Sequence, residues 1–282
     1  MSDARIESFE TPGPAKLRVE VPHGDVRVRA VETGQTRIEL VARRGDSAAV
    51  QWIETAEVVR SGDEIVVRRR GGETLHRCGP IEVTIELPEG SAADLATGSG
   101  DIGVRGRMGR ISATTGSGDV RIAACEGAGV RTGSGDITIE ASTEAVEAKS
   151  GSGDVRIGKV GGDVRVGTGN GDAGIARAEG LASLTTASGD IEVGEVGAGV
   201  EAFTASGDVQ VARAGGGRVR ARSVSGDVSI GVPAGVAARL DISTLTGALR
   251  SELEAADPPG EGQPSVELVV STVSGDVRLS RL

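Results

Sequence analysis

The sequence predicts an all-β chain, a parallel β-solenoid (β-helix) of about ten coils with repeats of about 18 residues, preceded by a smaller β-rich N-terminal cap. Three observations carry that expectation. A Ser-Gly-Asp turn recurs along the chain, apolar and polar residues alternate on both sides of it, and aromatic residues are nearly missing. Trp52, Phe9 and Phe203 are the whole aromatic set, whereas 45 of the 282 residues are glycine, more than double the usual share of roughly 7%. A core without aromatics is built from Val, Ile, Leu and Ala, which suits thin regular layers.

The turn aspartates are Asp101, Asp119, Asp136, Asp154, Asp172, Asp190, Asp208, Asp227 and Asp276. Their spacings are 18, 17, 18, 18, 18, 18, 19 and 49 residues, the fixed period of a repeat architecture. The long gap holds a degenerate copy, Leu245-Thr246-Gly247-Ala248-Leu249, with Ala248 in the aspartate's place. Around each turn the residues alternate as in a strand with one buried face: Val209 and Val211 point one way, Asp208 and Gln210 the other. Units this short cannot bury a face alone, so they stack on one another. A half-period copy, Gly162-Asp163-Val164-Arg165-Val166, places Asp163 nine residues from both Asp154 and Asp172. Opposite walls of a coil are therefore expected to be built alike.

Residues 1–90 are expected to form the cap region, continuous with the solenoid repeat domain of residues 91–282. In the cap, Lys16 to Val21, Asp25 to Ala30, Thr36 to Ala42, Ala56 to Ser61, Glu64 to Arg70 and Ile81 to Leu87 read as strands. Ala48 to Thr55 reads as one short helix behind Asp46-Ser47, a fitting N-cap. At the other end, Thr272 to Leu279 is a well-formed repeat, and the open coil is expected there, with Leu279 at a C-terminal end-to-end dimer.

Charge and cysteine usage narrow the function. The net charge of −10 disfavours binding to nucleic acid or to an anionic membrane. No run approaches the roughly 18 apolar residues that span a bilayer, so no membrane insertion is expected. Met1 to Arg5 lacks the basic start and apolar run of a secretory signal. Cys78 and Cys125 form no CxxC pair. Together these features lead to the expectation of a cytoplasmic protein with reduced thiols.

Several motifs invite chemical readings. Gly98 to Gly103 spells GxGxxG, but the dinucleotide fingerprint needs a following helix, and a strand is expected instead. Gly153 to Lys159 nearly spells a P-loop, with Val160 where Ser or Thr should hold magnesium. Stacked in register, the aspartates recur about every 4.8 Å, where like charges repel. Turn amides relieve that repulsion, as do Arg27, Arg121, Arg156, Arg165 and Arg278, each two residues after an aspartate and able to pair across coils. Calcium is the alternative. His23 and His76 lie outside the repeats, and no acid–base pair is identifiable. No catalytic, cofactor-binding or metal-binding residue is assigned; the nine aspartates are the structural turn ladder.

Val83-Thr84-Ile85-Glu86-Leu87-Pro88-Glu89-Gly90, followed by Thr97-Gly98-Ser99-Gly100-Asp101-Ile102, resembles the bacterial putative-adhesin family of β-strand-repeat domains of unknown function. Ile230 to Gly235 and Thr272 to Val277 fit the same pattern, and the resemblance spans roughly residues 15–282. It implies a β-repeat fold, no catalytic residues to carry over, and export; the absence of a visible signal or anchor sets this chain apart. The expected function is that of a non-enzymatic structural or interaction protein. It is a rigid scaffold without cofactors, engaging an unidentified protein partner or a second copy. An end-to-end self-assembling scaffold is one alternative, and a solenoid enzyme acting on a saccharide or acyl substrate is another.

Overall fold

The computed structural model describes residues 3–42, 46–69, 79–253 and 264–282. Two compact units divide the chain, Met1–Ala141 and Ser142–Leu282. Among the described residues both are built from β-strands, with one helix in the first, and both wind as solenoids of stacked parallel strands. The all-β solenoid class read from the repeats is borne out.

The second unit has the plainer coils. Most consist of two short strands meeting at a Ser-Gly-Asp corner, as in Leu181–Ser188 and Ile191–Val196, with Asn170 in the serine's place in one coil and Thr246-Gly247-Ala248 in the degenerate one. Alternation decides what goes inside: Ala182, Leu184, Ile191 and Val193 are buried, while Thr185 and Glu192 face out. Coils then stack in parallel with apolar residues in register. On one wall Ala148, Val166, Leu184, Ala202 and Ala221 follow each other coil by coil. On the other, Ile157, Ile175, Val193, Val211 and Ile230 do the same. Small aliphatic residues suffice because each layer touches only its neighbours; burying one valine or isoleucine contributes about 1.5–3 kcal/mol. Phe203 takes no part in the core and is 42% exposed.

The corners explain the glycine. Gly189 has φ +143°, and a Cβ there would sit 2.1 Å from the carbonyl oxygen of Gly171 in the preceding coil. Both the dihedral and the close stacking exclude a side chain. Conversely, the amide of Gly171 donates to the Ser188 carbonyl at 2.9 Å, so the corner joins the inter-coil hydrogen bonding.

Chain order and spatial order part company at one end of this unit. Ser265–Ser274 pairs with Gly217–Ser225 on one side and with Ala237–Thr246 on the other. Val277–Arg281 likewise lies between Val228–Val232 and Leu249–Ser251. The last repeat is thus an inner coil, and Leu279 is fully buried. This corrects the expectation that Leu279 marks an open end. The outer coil is the degenerate copy, whose exposed positions tolerate the loss of the repeat pattern.

The first unit repeats the device. Lys16–Val21 lies between Ala92–Ser99 and Glu64–Arg69, and Val26–Val31 between Ile102–Ser117 and Ile81–Pro88. Beyond that stack the strands turn antiparallel. Gln35–Ala42 pairs with Ile81–Pro88 and with Ala4–Glu10, and Ala56–Ser61 pairs with Glu64–Arg69. The helix Ser47–Thr55 buries Ala49, Val50, Trp52 and Ile53 against them. Asp46 caps its start by accepting from Ala48 and Ala49 amides at 3.0 and 2.9 Å. Arg5 donates to the carbonyls of Ile53 and Ala56 at its end, at 3.1 and 2.8 Å. Ala4–Glu10 had no counterpart among the expected strands.

Candidate functional site

All nine predicted aspartates stand at corners, each directly after a glycine of positive φ. In the second unit the amides of Asp172, Asp190, Asp208 and Asp227 each donate to the Oδ1 of the preceding aspartate at 2.8–2.9 Å. Asp276 donates to Asp227 at 2.8 Å, following the spatial and not the chain order of coils. Ala248 then donates to Asp276 at 2.8 Å and ends the series, having no carboxylate to offer. In the first unit Asp101, Asp119 and Asp136 donate to Asp25, Asp101 and Asp119 at 3.1, 2.9 and 3.0 Å. On the opposite corner the half-period Asp163 accepts from the Leu181 amide at 2.9 Å.

The second carboxylate oxygen meets arginine within the same coil. Arg27, Arg121 and Arg156 donate to Oδ2 of Asp25, Asp119 and Asp154 at 2.9, 2.7 and 2.6 Å. Pairing across coils was expected of these arginines; among the described residues Arg27 alone of the three also reaches another coil, to Glu82 at 3.0 Å. A two-residue step along a strand returns a side chain to the same face, so the nearer carboxylate wins. Arg165 and Arg278 make no ion pair among the described residues. The Asp136 amide, and then Arg121, hold the Asp119 carboxyl below the usual carboxylate range, against the opposing effect of burial.

A second ladder was not anticipated. Thr115, Thr132, Thr168, Thr186, Thr204, Ser223 and Thr272 are buried, and each hydroxyl donates to a corner glycine carbonyl of a neighbouring coil at 2.9–3.3 Å. Its signal was present in the sequence: Thr or Ser recurs four residues before every predicted aspartate.

Where glycine replaces the arginine, the outer face dips. In the first unit Gly103 lies in register between Arg27 and Arg121. The resulting trough, about 350 Å³, is lined by Arg27, Arg29, Arg105 and Arg121 with Asp25 and Asp101. In the second unit a trough of about 480 Å³ surrounds Gly174, lined by Arg156, Gln210 and the carboxylates of Asp172, Asp190, Glu192 and Asp208. In the first, which Glu86 also lines, Arg27, Arg29 and Arg121 are paired with neighbouring carboxylates; the second gathers acceptors for hydroxyls or amines.

The nucleotide motifs resolve into strands. Ala92–Ser99 and Ile102–Ser117 carry the GxGxxG residues, and Val155–Val160 carries Lys159. Half-buried His23 shares a 2.8 Å hydrogen bond between Nδ1 and the Ser99 hydroxyl. His76 and Cys78 lie outside the described residues. Among the described residues no group of three or more His, Cys, Asp or Glu is placed to hold a metal ion, and no helix is long and apolar enough to cross a membrane.

A family model described as Toastrack DUF4097 matches residues 2–159 and again residues 126–280. Among solved structures, the chain is similar to a putative adhesin from Bacteroides fragilis at 12% identity and TM-score 0.36, covering 100% of this chain and 98% of that one. A putative lipid binding protein from Parabacteroides distasonis shows 10% identity and TM-score 0.41, over 98% and 96% of the two chains. A putative adhesin from Parabacteroides merdae shows 12% and 0.37 over the same shares. No curated protein matches the chain in sequence.

Proposed function

This chain belongs to the Toastrack DUF4097 family, and we propose that it is a non-enzymatic interaction scaffold whose outer face engages a protein partner. The observation that carries the reading is the registered charge on the walls of the second unit. Lys159, Arg177, Glu195 and Arg213 occupy the same outward position in four successive coils. Glu147, Arg165, Ser183, Glu201 and Arg220 form a parallel row on the other wall. Stacked strands fix such rows at about 4.8 Å per step. Exposed ion pairs contribute little to folding, so these charges are available to set partner specificity.

The test is the neutralised variant Arg177→Gln, Arg213→Gln, which removes the charges without stacking carboxylates on Glu195. Its melting temperature should stay close to the parent's, since exposed ion pairs contribute about 1 kcal/mol or less. Cross-linking in the native cell should recover a partner with the parent chain and lose it with the variant. Identical recoveries would discard the reading.

A cytoplasmic location is part of the proposal. It is supported by Cys125, a buried thiol donating to the Ala141 carbonyl at 3.8 Å, which fits a reducing compartment. Recovery of the chain outside the cytoplasm on fractionation would refute that part.

A further inference from the structure

We infer that the second unit pairs with a second copy of itself through the strand Ala237–Thr246, antiparallel and centred on Leu240. This goes beyond the scaffold reading and does not depend on it. The strand pairs with Ser265–Ser274 on one side, and no strand pairs its other edge among the described residues. One coil further in, Leu268 and Val277 are fully buried; their counterparts Leu240 and Leu249 are 42% and 51% exposed. An edge of ten residues with open core positions is a template for another strand.

Two features decide what that strand is. The first is the end of the aspartate series at Ala248. Every inner coil offers a carboxylate oxygen to the amide of the next, and the outer coil offers none, so another parallel coil would leave its corner amide without that acceptor. Open head-to-tail stacking is disfavoured, and a closed two-fold pairing is not affected.

The second feature is charge. Arg239 and Asp241 flank Leu240, both exposed and both without an ion-pair partner among the described residues. Placing Leu240 opposite Leu240 of a second copy sets Arg239 against Asp241 twice, and Ala238 against Ile242 on the inner face. Shifting by one residue would oppose inward and outward side chains. Centring on Asp241 or on Arg239 would put like charges directly opposite, which is destabilising. Of the registers that keep inward residues against inward ones, the one centred on Leu240 brings both pairs of opposite charges together, and it is isologous, so association stops at two chains.

The experiment is sedimentation velocity on the full chain over a wide concentration range, with Arg239→Asp and Asp241→Arg run separately and as a 1:1 mixture. The parent should reach twice the chain mass. Each single variant opposes like charges and should remain at the chain mass. The mixture should regain the doubled mass, because one variant then presents two carboxylates to the two guanidinium groups of the other. Circular dichroism melts verify that both variants fold; if either does not, Leu240→Lys takes its place and should abolish the dimer. A parent that is monomeric throughout overturns the inference, as does a dimer that survives Leu240→Lys. A mixture that stays monomeric beside a dimeric parent also overturns it. A monomeric parent destabilised by Leu240→Lys would assign this edge to another segment of the same chain, and so would overturn it too.

Discussion

The Thr186 hydroxyl, 1% exposed, donates to the carbonyl of Gly171 in the preceding coil at 3.1 Å. That carbonyl belongs to a tight corner and has no strand neighbour to satisfy it, so the hydroxyl takes the part a ladder amide takes elsewhere. Thr186→Val keeps the shape and removes the donor. It should cost about 1–3 kcal/mol in urea unfolding, the usual penalty for stranding a buried acceptor. Thr186→Ser should recover most of the loss. A valine variant as stable as the parent would show that the hydroxyl ladder is dispensable.

The corner glycines should be far less replaceable than an uncrowded wall glycine such as Gly167. Gly189→Ala forces an L-residue to φ +143° and drives its Cβ to 2.1 Å from the Gly171 oxygen. The backbone strain alone is worth about 1–3 kcal/mol, and the clash adds to it. Gly167→Ala, whose Cβ would only touch Lys149 Cγ at 3.7 Å, should stay within about 0.5 kcal/mol. Equal melting temperatures for the two variants would contradict the stacked-corner geometry.

How much of this was legible beforehand follows from the period of each signal. The inward set, such as Val155, Ile157, Val209 and Val211, was readable because alternation has a period of two and each of these is buried. The helix was readable from Asp46. The position of the last coil was not, because Val277 and Leu279 are as apolar as any inner repeat and a sequence period orders coils along the chain, not in space. Only the loss of the aspartate at Ala248 hinted that the degenerate copy was the outer one. The nine aspartates were identifiable as a series, but their bond to the next amide needs the stacking register, which composition cannot supply. The threonine ladder was not legible from alternation, because its hydroxyls occupy inward positions that hydropathy marks only by apolar residues.

Val155 and Arg156 are adjacent and face opposite ways. Val155 is fully buried; Arg156 is exposed and paired with Asp154. Val155→Asp should therefore destabilise by several kcal/mol, since it buries a charge, whereas Arg156→Asp should cost about 1 kcal/mol or less. Thermal unfolding of both variants checks this, and comparable losses would refute the inward and outward assignment.

Stability should carry a small acid-side component from Asp119. Its carboxyl is held low in the folded state by the Asp136 amide and Arg121, while in the unfolded chain it titrates near the ordinary value of about 3.9. A depressed folded value means the contribution is complete above the unfolded value and is lost as pH falls through the folded one. Asp119→Asn keeps an oxygen for the Asp136 amide but cannot titrate. The gap in melting temperature between parent and variant should accordingly narrow as pH drops below about 4. Parallel curves would exclude any role for this ionisation.

The interleaved coil has a consequence for synthesis. Ala237–Thr246 leaves the ribosome before Ser265–Ser274, the strand that separates it from Gly217–Ser225 in the finished molecule. At about 5–20 residues per second, the nascent chain passes through an interval in which Ala237–Thr246 has no native neighbour while the edge of Gly217–Ser225 lies vacant. Direct docking of the one on the other would complete a well-formed but wrong coil, occupying the place reserved for a segment not yet made. The final fold then requires that strand to be evicted and re-seated one layer out. This end of the unit therefore cannot mature coil by coil in the order of translation.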